Sequence, residues 1–162
     1  MKIQIAGPEH FKDIISIYNW AILETTSTFD TESKTIENYS SFLNSFNDHP
    51  LVVAILNNKT VGWGCLKPYS DRRAYNDTVE LSIYIHPNFQ GQRVGNKIMQ
   101  KLIEEAENRN FHTILSRITV ESLASIKLHE KFGFFQVGIM KEVGLKFNRR
   151  IDVIIMQKIV KA

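Results

Sequence analysis

Residues 78–95 read TVELSIYIHPNFQGQRVG, and the rest of the chain is organised around them. Val79, Leu81, Ile83 and Ile85 alternate with Glu80, Ser82, Tyr84 and His86, so the segment reads as a strand with one apolar face and one face of reactive groups. Pro87 ends it. The loop from Gln90 to Gly95 then leads into Ile98, Met99, Leu102, Ile103 and Ala106, which fall on one side of an amphipathic helix. A strand, a glycine-containing loop and a helix N-terminus leave backbone N–H groups without helical partners. Such groups suit an anion such as a pyrophosphate, although an ordinary strand-to-helix turn has the same pattern.

Working outward, 162 residues suffice for one domain with its own core, and a single domain over 1–162 is expected. No run approaches the length of apolar chain that crosses a bilayer, and the N-terminus lacks the apolar stretch of a signal peptide, so no membrane association and a cytoplasmic location are expected. The 20 basic residues exceed the 17 acidic ones by three and are scattered, which argues against a nucleic-acid partner. Cys65 is the only cysteine; it lies in an apolar strand and reads as a small core residue rather than a nucleophile. The five histidines show no metal-ligand spacing, so no metal is expected.

In chain order, Lys2 to Ala6 forms a first strand, and Phe11 to Ile22 carries a helical apolar stripe that fades at Thr25–Thr28. Thr35 caps a second helix, which the cluster Asn47-Asp48-His49-Pro50 ends. Leu51–Leu56 and Val61–Leu66 make a hairpin about Asn57-Asn58, with Gly62 and Gly64 marking a bulge or a close approach. After the helix beginning near Gly95 come a strand over Thr113–Val120 and a helix over Leu123–Phe132 stopped by Gly133. Two strands follow, Phe134–Val143 and Asp152–Ile159, with a polar turn around Lys146–Arg150. The order is that of an α/β protein, a mixed sheet with helices packed against it.

The loop Gln90–Gly95 resembles the cofactor-binding motif of the GNAT superfamily of acyl-CoA-dependent N-acetyltransferases, with Arg93 where the first signature glycine usually stands. Three further segments are similar to its phosphinothricin and methionine sulfone (sulfoximine) acetyltransferase branch. They are Arg72-Arg73-Ala74-Tyr75 through Thr78-Val79-Glu80-Leu81-Ser82-Ile83-Tyr84-Ile85, Ser125-Ile126-Lys127-Leu128-His129-Glu130-Lys131-Phe132-Gly133-Phe134, and Val143-Gly144-Leu145-Lys146-Phe147 with Asp152-Val153. Ile17-Tyr18-Asn19 and Thr28-Phe29 match the branch's first helix and the loop after it. The chain departs from the branch at Ser122, where asparagine is usual, and at Leu145, Asn148 and Arg150, which replace tyrosine, glycine and tryptophan.

The resemblance implies a GNAT fold, a mixed and mostly antiparallel central sheet with helices on both faces, and acetyl transfer from acetyl-CoA to the amine of a small amino-acid-like substrate. Acetyl transfer requires a held thioester, a deprotonated nitrogen, oxyanion stabilisation and a proton for the leaving thiolate. Gln90, Gly91, Gln92, Arg93, Val94, Gly95 and Asn96 are the expected cofactor loop, with Arg93 offering a side-chain contact to phosphate. Ile83, Tyr84 and Ile85 would lie along the pantetheine arm, and Ser122 and Ser125 at the next helix start are further cofactor contacts or plain caps.

Glu80 is the expected general base, with pairing to Arg72 or Lys67 as the alternative. His129 is the expected acid or a structural group beside the cofactor. Phe29, Arg72, Tyr75, Ser82 and Lys146, with Glu80, are the expected substrate contacts, Arg72 for an acidic group. A homodimer is expected from the family alone. Action on another small amine or a protein N-terminus, or a CoA-binding sensor without turnover, are the alternatives.

Overall fold

The computed structural model describes residues 1–46 and 48–160, so Asn47 of the helix-ending cluster lies outside the described residues. Alternation and helical spacing produce the expected order of elements: β1 (Lys2–Ile5), α1 (Phe11–Glu24), α2 (Ile36–Asn44), β2 (Leu51–Leu56), β3 (Lys59–Pro68), β4 (Thr78–Ile85), α3 (Val94–Asn108), β5 (Thr113–Thr119), α4 (Leu123–Lys131), β6 (Phe135–Lys146) and β7 (Arg149–Ile159). The strands form one seven-stranded sheet in the order β1-β2-β3-β4-β5-β7-β6. Every neighbouring pair is antiparallel except β4 and β5.

Helices cover both faces because successive side chains of a strand point to opposite sides. Val52, Ala54, Leu66, Val79 and Leu81 pack with Ile98, Met99 and Leu102 of α3. Leu51, Val53, Trp63 and Cys65 pack with Ile14, Ile17, Tyr18 and Ile22 of α1 and with Tyr39 and Leu43 of α2. Burial pushes the Cys65 thiol up to about 12, in keeping with a core residue.

Local chemistry sets the ends of the elements. Thr35 accepts from the Asn38 N–H while the Asn38 side chain accepts from the Thr35 N–H, a reciprocal cap on α2. Gly133, at φ +83°, stops α4. Gly62 and Gly64 mark a close approach: a Cβ there would meet Val94 and Ile98 at 2.9 and 2.8 Å, so their absence lets α3 settle on β3, and the register also slips beside them, between Ala54 and Ile55.

The last hairpin is longer than its sequence indicated. Strand pairing runs to Lys146 and Arg149, and the turn is only Phe147-Asn148, both at positive φ (50° and 56°). A two-residue turn of that hand matches the twist of the strands it joins. The basic residues that suggested a loop are strand residues, and Lys146 is turned into the fold.

Candidate active site

The parallel pair β4/β5 is in register only from Thr78/Thr113 to Glu80/Leu115. Beyond that point the strands part, so residues 81–85 and 116–119 face each other without pairing and leave a gap through the sheet. A cleft of about 1990 Å³ passes along this gap, lined on one side by the loop before α3 and the start of α4, and on the other by α1, the loop after it and the β6/β7 hairpin.

On the α3/α4 side the backbone does most of the work. Gly91 and Arg93 are both left-handed, at φ +74° and +62°. Arg93 is the N-cap of α3 and makes no side-chain capping bond, so the position usually held by glycine keeps the glycine conformation with a side chain on it. A Cβ on Gly95 would come within 3.2 Å of Leu128, so this glycine lets α3 and α4 lie close together. Gln90, Gly91, Arg93, Val94, Gly95 and Asn96 line the cleft. Gln92 does not; its side chain donates to the Asn88 carbonyl at 3.0 Å.

Ser122 and Ser125 line the cleft at the start of α4. Ser122 stands at the N-cap position without capping, its hydroxyl instead sharing a hydrogen bond with that of Thr119 at 2.7 Å. The Ser125 carbonyl lies 2.7 Å from Nδ1 of His129, and Nε2 of His129 lies 2.9 Å from Oγ of Ser116. A carbonyl only accepts, so Nδ1 carries the proton and Nε2 accepts from the Ser116 hydroxyl. Burial lowers the pKa of this histidine below its usual value, which keeps it neutral. Its single N–H is therefore engaged with backbone, and the geometry makes His129 a holder of Ser116.

The α1 side is a network of side chains from distant segments. Glu80, 7% exposed, receives two cations on one oxygen: Nη2 of Arg117 lies 2.9 Å and Nζ of Lys67 3.3 Å from Oε1. Oε2 has no partner among the described residues. Of the two partners the sequence offers for Glu80, Lys67 is found and Arg72 is not, and Arg117 is a partner the sequence does not announce. Arg117 shares the sheet face of Glu80 because Glu80 pairs with Leu115 and side chains alternate along β5, a register that neither strand's sequence reveals alone.

Tyr18 donates to Asp30 at 2.5 Å and packs beside Tyr39, Trp63 and Tyr84 with ring centroids 5.0–5.8 Å apart. Burial raises the pKa of Tyr18 and of Tyr84 above the usual phenol value, so both stay protonated. Nε1 of Trp63, buried in this wall, has no partner among the described residues. Thr26 and Arg149 both bind Glu121, and Arg149 holds its carboxyl down at about 2.

Three of the expected substrate contacts line the cleft: Phe29, Glu80 and Ser82. The Phe29 ring lies against the backbone of Gly144, where a Cβ would overlap it. Arg72 and Tyr75 do not line the cleft; both are exposed on the loop before β4, where Tyr75 packs edge-on against Tyr69. Lys146 is not a substrate contact either, because its ammonium is spent on the Thr25 and Thr28 carbonyls, at 2.7 and 2.8 Å. It ties the loop after α1 to the hairpin and is 4% exposed. Leu145 and Arg150 face each other across the hairpin and also lie off the cleft, whereas Phe147 and Arg149 line it. No group of residues suited to a metal ion occurs among the described residues.

The model of the acetyltransferase (GNAT) family matches residues 14–134. The L-methionine sulfoximine/L-methionine sulfone acetyltransferase of Salmonella typhimurium is 30% identical over 159 residues, covering 97% of this chain and 92% of that protein. The phosphinothricin N-acetyltransferase of Streptomyces coelicolor is 32% identical over 150 residues, covering 90% and 88%. A solved GNAT superfamily phosphinothricin acetyltransferase from Sinorhizobium meliloti, in complex with AcCoA, superimposes with a TM-score of 0.95 at 25% identity, covering 98% of this chain and 87% of that one. The parted parallel strands and the left-handed loop before α3 thus occur in a chain that belongs to the acetyltransferase (GNAT) family.

Proposed function

We propose that the chain, acting as one domain over 1–162, transfers acetyl from acetyl-CoA to the α-amino group of a small amino-acid-like substrate of the phosphinothricin or methionine sulfone type. The observation that carries this reading is the gap between β4 and β5, which joins a backbone-lined half of the cleft to a half holding a buried carboxylate. Acetyl-CoA supplies an activated acetyl thioester. The cradle fits it: the loop from Gln90 to Asn96 has helix N-terminal N–H groups that would meet a phosphate, and the stretch Ile83 to Ile85, paired with β3 but not with β5, has gap-facing backbone groups that would hydrogen-bond along the cofactor. Ser122 and Ser125 complete that side.

Glu80 takes the proton from the acceptor ammonium at Oε2, the oxygen its two cations leave open. Lys67 and Arg117 hold the carboxylate in place, and Phe29 and Ser82 flank the acceptor. His129 positions Ser116 at the gap. The cytoplasm, where acetyl-CoA is made and used, is the compartment this reading favours.

A homodimer is part of the proposal. Phe135, Val137, Ile139, Val143 and Leu145 of the edge strand β6, and Phe147 of the turn after it, are all about half exposed. An unpaired apolar edge of this length is suited to the same edge of a second copy. Light scattering at working concentration should give the mass of two chains, and a monomer mass overturns this part.

The activity is tested by thiol release from acetyl-CoA with phosphinothricin, methionine sulfone, methionine sulfoximine, free amino acids and a peptide, each against an amine-free blank. Turnover confined to the amino-acid analogues is expected. Binding of acetyl-CoA without turnover on any amine overturns the reading in favour of a sensor.

A further inference from the structure

Arg117 and Lys67 are cations in the α1 half of the cleft that keep most of their donors free, and of the two Arg117 offers more. Arg149 gives both terminal nitrogens to Glu121, Lys146 is held by two carbonyls, and Lys34 lies 3.5 Å from Asp30. The guanidinium of Arg117 makes a single hydrogen bond to protein among the described residues, to Oε1 of Glu80, and its side chain is 58% exposed to the cleft. A guanidinium carries five donors in a planar fork that matches a carboxylate. The local charge is also unbalanced, since Lys67 and Arg117 share one oxygen of one carboxylate and the cluster lacks one negative charge.

We propose that Arg117 is the specificity-determining residue that binds the carboxylate of the acceptor, with Lys67 beside it. This rests on the reading of an amino-acid-like acceptor and deepens it. An α-amino acid carries an ammonium and a carboxylate on one carbon, and the site presents their complements side by side: the open oxygen of Glu80 for the ammonium and the free edge of Arg117 for the carboxylate. Binding the carboxylate fixes the amine at Glu80, so the α-amino group is chosen over a remote amine. The incoming charge balances the cluster and leaves the Glu80 contact in place. Arg72, the arginine favoured by sequence, lies on an exposed loop outside the cleft and cannot do this within one chain.

The test compares L-methionine sulfone with its methyl ester, which lacks the carboxylate charge and has a more acidic ammonium, so the variants Arg117→Met and Arg117→Lys are each judged against wild type on the same compound. Wild type should show a KM about tenfold lower for the acid than for the ester, the size of one charge-assisted pair. Arg117→Met should lower kcat on both compounds, because Arg117 also holds Glu80, and should in addition raise KM for the acid by about tenfold more than KM for the ester, a selective loss that Arg117→Lys should recover in part. Equal losses on acid and ester, mostly in kcat, would overturn the proposal by showing that Arg117 acts only through Glu80. A wild type that acetylates both alike overturns the carboxylate anchor and leaves the transferase reading standing. A wild type inactive on both but active on a peptide or simple amine overturns the amino-acid reading and this inference with it.

Discussion

The two halves of the cleft are built by different means. Against α3 and α4 the lining is largely backbone: left-handed Gly91 and Arg93, a helix start, and strand edges that have parted. Against α1 it is a mesh of side chains, with Glu80 held by Lys67 and Arg117, Glu121 by Thr26 and Arg149, and the Thr25–Thr28 loop by Lys146. A backbone cradle accepts a constant ligand and tolerates changes of side chain. A side-chain mesh selects among ligands and changes with single substitutions. Variants on the α1 side should therefore alter the acceptor and leave the donor alone.

The largest effect is expected at Glu80. Glu80→Gln keeps the shape but removes the proton acceptor and leaves Lys67 and Arg117 without an anion. Turnover should fall by about 100-fold or more, within the usual range for a general base, while acetyl-CoA affinity measured by calorimetry stays within about twofold. A wild-type kcat across the pH range would remove Glu80 from the chemistry.

Lys146 sharpens the comparison at the next level. Lys146→Met preserves much of the stem but abandons two partly buried carbonyl oxygens, so a stability cost of about 2 kcal/mol is expected in urea unfolding. The loop carrying Phe29 should loosen with it, and KM for the acceptor should rise several-fold more than KM for acetyl-CoA. Equal rises in both would mean that the loop serves the whole cleft.

This division also decided what could be read from sequence. The cradle was legible because backbone structures leave a local pattern: alternation from Val79 to Ile85, a stop at Pro87, glycines, then a helical stripe. The whole order of elements was legible for the same reason. The mesh was not, since Thr26 and Glu121, or Lys146 and Thr25, are about a hundred residues apart and meet only through sheet order. Arg72 and Tyr75 drew attention by standing beside the central strand in sequence, yet the loop holds them outside the cleft. Arg117 drew none because the parting of β4 and β5 cannot be inferred from either strand alone. Lys146 is a substrate contact by sequence and a strand residue tying down a loop by structure, because a two-residue turn containing Phe147 has no glycine to announce where the strand ends.

His129 lies between the halves and responds to pH. Its folded pKa is lowered by burial, so the unfolded chain binds the proton more readily, and stability rises with pH through this group. The contribution is complete above the unfolded value of about 6.5 and is lost as pH falls below it toward the folded value. His129→Gln should remove that slope, at most about 1.4 kcal/mol per pH unit for one proton, so that variant and wild type converge in stability as the medium is acidified from pH 7 to 5. Parallel stability curves would show that the imidazole is protonated in the fold without cost, and its role as a neutral holder of Ser116 would be lost.

The smallest effect is expected where the two ways of building meet in a single residue. Arg93 holds a left-handed conformation that costs a side-chain-bearing residue about 1 kcal/mol, and no capping bond offsets it. Arg93→Gly should therefore stabilise the free protein by about that amount, raising Tm by roughly 2–4 °C for a chain of this size. If the guanidinium serves a phosphate of the donor, the same change should weaken acetyl-CoA and leave a pantetheine fragment without the nucleotide unaffected. The two readouts then move in opposite directions, with strain retained in the free chain for the sake of a contact in the complex. A gain in stability with unchanged donor affinity would mean that the cradle is backbone alone and that the arginine is merely tolerated there. No gain in stability would mean that contacts of the arginine stem offset the left-handed backbone, and a side chain would have to be counted among the supports of the donor half.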